Sequence, residues 1–247
     1  MKKTLSVLLA FCLSGLALAP CAAAKEAEIG PYVMSSAPAV ANFIFSSEFG
    51  GELHFAPATL ETSEGSQGVW LVTLMGINFY TRNSNNIFSY LHAAFNTRGR
   101  YFNRAKDGIL QNVPEGAKLV LAGHSLGGMI AHQLMCAEEI TSRYEVLNAL
   151  TFGSPYVVVD PAKREGRLVR LEERYDIIPR VSIAFLLAPD DYKGAIRRIG
   201  PYSGDSDGAH NRSYRNMDVW GDLDALGTEN GTAKLLLDRA AVKSMGA

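Results

Sequence analysis

Cysteine is almost absent. The 247 residues hold three, Cys12, Cys21 and Cys136, which excludes a disulfide scaffold and leaves too few thiols for a cysteine-rich zinc site. Excess charge is lacking too: 24 basic residues face 25 acidic ones, a formal net charge of −1. Domains that hold nucleic acid by broad electrostatics carry a clear basic excess, so no nucleic-acid partner is expected. Beyond the N-terminal stretch, no apolar run is long enough to span a membrane. There is no internal repeat and no Pro/Ser-rich linker. What the chain does have is 47% hydrophobic against 20% charged residues, enough for a substantial core and unlike a disordered polypeptide.

The N-terminus reads as an address. Met1-Lys2-Lys3 is a basic head, Thr4 to Leu18 is uncharged and apolar, and Ala22-Ala23-Ala24 is a small-residue cleavage site. This predicts a secretory signal over 1–24 and an exported protein, periplasmic or secreted. Two readings compete with cleavage after Ala24. One is an uncleaved anchor. The other is lipid attachment at Cys21, because Leu18-Ala19-Pro20-Cys21 resembles a bacterial lipoprotein box with Pro20 in a small-residue position.

The remainder, 25–247, is expected to form a single domain. A helix is predicted around Ala37 to Ser47, broken by Gly50-Gly51, and Glu61 to Gly68 reads as a polar turn. Val69 to Leu74, Lys118 to Ala122, Val146 to Phe152 and Gly166 to Leu171 are short apolar runs of the kind found in buried strands. Between them, 87–113 has helical periodicity with Ile87, Tyr90, Leu91, Ala94 and Phe95 on one face, and Leu126 to Ala137 is an apolar helix. A further helix is predicted near Thr232 to Val242. Strands alternating with helices predict an α/β fold, a mostly parallel central sheet with helices on both faces.

Gly123-His124-Ser125-Leu126-Gly127 is a G-x-S-x-G motif placed between a strand and a helix, the setting in which such a serine is exposed on a strained turn. The glycines permit close packing there, and the helix start directs amide groups and a positive dipole end at the reacting centre. The Leu126 N–H is one expected oxyanion donor. The competing reading is a serine that merely caps a helix.

A serine hydroxyl needs an adjacent base. The candidates are His54, His92, His124, His132 and His210. His124 is expected to point away from Ser125, and His132 lies two helical turns on, about 10 Å away. His210 occupies a late loop, as the chain order Ser…Asp…His requires. For the acid, Asp176 after the fourth strand is favoured and Asp160 competes.

Several blocks together resemble one family. Gly123-His124-Ser125-Leu126-Gly127-Gly128, Thr151-Phe152-Gly153-Ser154-Pro155, Tyr175-Asp176-Ile177-Ile178-Pro179-Arg180 and His210 followed by Tyr214 are similar, in order, to blocks of the class 3, fungal-type lipases, a branch of the α/β-hydrolases. The resemblance implies a triad of Ser125, Asp176 and His210. It also implies an oxyanion hole of Leu126 and Ile77, with Asn78 an alternative to Ile77. The family's early R-G-[TS] is Met75-Gly76-Ile77 here, so this loop offers a backbone amide and no hydroxyl. Leu91-His92-Ala93-Ala94-Phe95 resembles a family block in which the histidine is structural.

The implied function is a secreted serine esterase or lipase acting on triacylglycerol or phospholipid through an acyl-enzyme on Ser125, with no metal or organic cofactor. The alternatives are an acyltransferase with the same triad and an inactive lipid-binding relative. Tyr80 to Phe95 could form a lid or acyl pocket. Lys193, Arg197 and Arg198 could touch an anionic lipid surface. Oligomeric state is not legible.

Overall fold

The computed structural model describes residues 31–77, 85, 87–181 and 194–246. The N-terminal segment read as a signal, Asn78, most of the Tyr80 to Asn86 stretch, and Tyr192 and Lys193 lie outside the described residues.

A nine-stranded sheet organises the described chain. Its strands are β1 (Tyr32–Met34), β2 (Leu53–Thr62), β3 (Gly65–Leu74), β4 (Lys118–His124), β5 (Glu145–Phe152), β6 (Arg167–Glu173), β7 (Ile196–Arg198), β8 (Lys234–Leu237) and β9 (Lys243–Met245). The order is β1-β8-β2-β3-β4-β5-β6-β7, with β9 paired to β2. From β3 to β7 every pairing is parallel. From β1 to β3, and between β9 and β2, every pairing is antiparallel. The expectation of a mostly parallel sheet is therefore corrected: the sheet is mixed, with a parallel half that carries the elbow and an antiparallel half that closes its side.

The physical reason lies in β2 and β8. Residues predicted as a polar turn, Glu61 to Gly68, are the solvent-exposed end of a long β2–β3 hairpin paired from Leu53↔Leu74 to Thr62↔Gly65. Residues predicted as helix near Thr232 include β8, a Lys-Leu-Leu-Leu run whose Leu235 and Leu237 are buried between β1 and β2. A short apolar run fits helix or strand equally well on periodicity alone; here the pairing decides it.

Alternate residues of each central strand enter two cores. Leu119 and Leu121 face helices α2 (Ile87–Ala94), α3 (Arg100–Asn112) and α4 (Leu126–Leu134), while Val120 and Ala122 face α1 (Ala37–Ile44) and the segment around Tyr214 and Trp220. Helices thus cover both faces, and strands buried on both faces need unbroken apolar sequences. The predicted apolar face of 87–113 is corrected as well. The stretch is two helices, and Leu91 and Phe95 are exposed, whereas Ser89 and Ala93 are buried.

Candidate active site

The carboxyl ends of the parallel strands converge on one crevice, where open α/β sheets place their chemistry. Just past β3 comes Met75-Gly76-Ile77, past β4 Ser125, past β5 Gly153 and past β6 Asp176.

Ser125 has φ 53° and ψ −122°, a left-handed conformation that a non-glycine residue adopts only when its surroundings enforce it. The enforcement is visible. Its N–H donates to Phe152 O at 2.9 Å, and its carbonyl accepts from Gly128 and Met129. A Cβ on Gly127 would stand 2.2 Å from Leu74 O and one on Gly123 2.4 Å from the Gly127 backbone, so only glycine permits the strand, loop and helix to meet this closely. The Ser125 side chain makes no capping hydrogen bond, which removes the helix-cap reading. Leu126 opens α4, where an amide has no intrahelical acceptor.

The loop after β3 lies directly over the elbow. A Cβ on Gly76 would fall 3.0 Å from Ser125 Cβ and 2.9 Å from His124 Nδ1. From below, the buried Tyr101 hydroxyl lies 3.0 Å from both Glu52 O and Met75 O. Ile77 packs its side chain on the core, which leaves its backbone as the polar group it can offer.

His210 Nδ1 lies 2.9 Å from Asp176 Oδ2. Asp176 is fully buried and accepts two further hydrogen bonds: Tyr214 O–H to Oδ2 at 2.7 Å and Ile178 N–H to Oδ1 at 2.9 Å. Beneath it the buried Glu173 carboxylate holds the amides of Tyr175, Asp176 and Gly200, so the turn carrying the acid is itself fixed. Burial and then the Asp176 charge push the Tyr214 hydroxyl well above its ordinary pKa, so it is a neutral donor. With Asp176 on Nδ1, the proton of a neutral His210 sits there and Nε2 remains basic. Gly153 ties this pair to the elbow: it follows Phe152, which bonds Ser125, and a Cβ on it would lie 2.6 Å from Asp176 Oδ2 and 3.0 Å from His210 Nδ1.

The other histidines are committed elsewhere. His54 is sealed between Thr73 Oγ1 and Gly50 O. His92 bonds Thr97. His132 is buried in α4 and lowered to about 3 by burial and the nearby Arg170 and Arg164. His124 is engaged with the loop that bears His210. Its ring packs 4.5 Å from that of His210, and its Nε2 lies 2.9 Å from His210 O. Burial and the neighbouring His210 hold it neutral. Because a carbonyl only accepts, Nε2 carries the proton, and His124 braces the loop that bears His210. Asp160 is exposed and caps the turn Pro161–Lys163, accepting from Ala162 N–H.

Tyr214 entered the sequence reading only as part of a block; its hydroxyl supplies a third donor to the acid. Tyr214→Phe should lower kcat/KM about tenfold, the loss of one net hydrogen bond to a buried charge, with KM little changed. Steady-state kinetics on a soluble ester checks this.

Phe88 and Leu91 of α2 and Phe95 just after it are exposed, as are Ile177 and Val181 beyond Asp176. The Tyr90 hydroxyl donates to Val181 O and links these two groups. Arg197 is paired with Glu172 and Arg198 with Asp222 and Glu229, so carboxylates already match both guanidinium groups.

No curated protein and no solved structure matches the chain. The family model described as Lipase (class 3) matches residues 65–185, from the hairpin through the elbow to just past Asp176. The matched stretch, just under half of the chain, contains the strained serine, its flanking glycines and Asp176, and over it the chain is similar to the class 3 lipases.

Proposed function

We propose that the protein is an exported serine hydrolase that cleaves carboxylic ester bonds of lipids, triacylglycerol or phospholipid. The observation that carries this is the strained Ser125 past β4 and the buried Asp176 past β6, two parallel strands on either side of β5, with His210 hydrogen-bonded to Asp176. Ser125 Oγ attacks the ester carbonyl while His210 Nε2 takes its proton. The amides of Leu126 and Ile77 hold the oxyanion, and Asp176 stabilises the imidazolium. The proton passes from His210 to the leaving alcohol, and water activated by His210 then releases the acid from the acyl-enzyme. The chemistry asks for no metal or organic cofactor.

The exposed apolar residues of α2 and of 177–181 support an apolar acyl group approaching from a lipid surface. Two measurements test the reading together. A fluorophosphonate probe should label the purified protein at one site and fail to label Ser125→Ala. Across p-nitrophenyl esters of rising chain length and one phospholipid, kcat/KM should rise from the shortest acyl chain. A protein that the probe leaves unmodified and that turns over no ester refutes the proposal.

A further inference from the structure

Asn85, the one described residue between Ile77 and α2, is 2% exposed. Its Nδ2 donates to Gly76 O at 2.6 Å. Its own backbone N–H donates to Glu52 Oε2 at 3.0 Å. Glu52 is 1% exposed, its other oxygen is paired with Arg104 Nε at 3.0 Å, and its backbone carbonyl accepts from Met75 N–H at 3.0 Å. A single buried glutamate therefore grips the loop after β3 twice, once through its backbone carbonyl to Met75 and once through its carboxylate by way of Asn85.

The direction of these bonds matters for catalysis. In a planar trans peptide the C=O of one residue and the N–H of the next point opposite ways. Fixing Gly76 O toward the Asn85 amide sets the plane of the Gly76–Ile77 peptide and turns the Ile77 N–H the other way, in a loop packed on the elbow so closely that a Gly76 Cβ would lie 3.0 Å from Ser125 Cβ. We propose that Asn85, seated on Glu52, is a positioning residue that presets the Ile77 amide as an oxyanion donor. It does the orienting work in a loop whose residue 77 has no hydroxyl to hold. The proposal rests on the hydrolase reading above.

Asn85→Ala should lower kcat about 10- to 100-fold, because misdirecting an oxyanion donor costs somewhat less than deleting one. KM should stay within about threefold, since the ground-state carbonyl uses the donor little. The inhibition constant of a phenylboronic acid, which is tetrahedral on Ser125, should rise by a factor similar to the fall in kcat/KM. Asn85→Asp gives a pH signature. Protonated, the introduced carboxyl can donate to Gly76 O; ionised, it cannot. Burial and Glu52 raise its pKa, with Arg104 opposing; Tyr101 and His124, also around this loop, stay neutral.

The ratio of Asn85→Asp to parent kcat should therefore rise as pH falls, a trend that a space-filling role would not produce. A ratio flat across the active pH range overturns the proposal whether or not Asn85→Ala folds. So does an Asn85→Ala enzyme with kcat within twofold of the parent. A parent inert toward esters and the fluorophosphonate overturns the hydrolase reading and this proposal with it.

Discussion

Ser125→Ala should lower kcat/KM toward p-nitrophenyl esters by about 10⁴- to 10⁶-fold, with folding intact. The size follows from the division of labour at the elbow. In the proposed mechanism the hydroxyl is the group that forms the covalent bond, and an alanine methyl cannot replace it. The structural bonds of residue 125 run through its backbone to Phe152, Gly128 and Met129, and its side chain caps nothing. Alanine keeps all of these, so the thermal transition should match that of the parent. Initial rates and a melting curve on one preparation check both halves. Residual activity above about 1% of the parent would assign the nucleophile to another residue.

Asp176→Asn should cost about 10⁴-fold in kcat at neutral pH. All three partners of the carboxylate are donors: His210 Nδ1 and Tyr214 O–H on Oδ2, and Ile178 N–H on Oδ1. An amide has only one acceptor oxygen. With its nitrogen toward Ile178, two N–H groups face each other in a buried site. With its nitrogen toward His210, the imidazole must present the Nδ1 lone pair and move its proton to Nε2, where it can no longer accept one from Ser125. Either orientation disables the base or strains the turn. The variant should still take up the fluorophosphonate, but about as much more slowly as it hydrolyses ester. Labelling and turnover at matched pH measure this, and a variant within tenfold of the parent would remove Asp176 from the role.

Much of the parallel half was legible. Val69 to Leu74, Lys118 to Ala122 and Val146 to Phe152 are buried on both faces, and that condition writes itself as unbroken apolar sequence. The elbow was legible because its glycines answer a steric demand visible in the spacing. The antiparallel half was not. β2 contains Pro57 and ends in exposed polar residues, and β8 is four residues whose meaning depends on strands about 180 positions away. The contact of His124 with the His210 loop was not legible, because it joins residues 86 positions apart. Glu52 and Asn85 gave no signal at all. Each is a single polar residue of a common type, and its significance arises from burial and from which carbonyl it meets.

The placement of β8 and β9 has a bearing on how the molecule is made. β2 emerges from the ribosome long before its neighbours β8 and β9. Until those strands follow, the nascent polypeptide must keep an apolar strand edge unsatisfied, an invitation to misassociation that a chaperone would have reason to shield. The Glu52 N–H donates to Met245 O at 2.8 Å, so the residue that seats Asn85 acquires this partner only once β9 has been made.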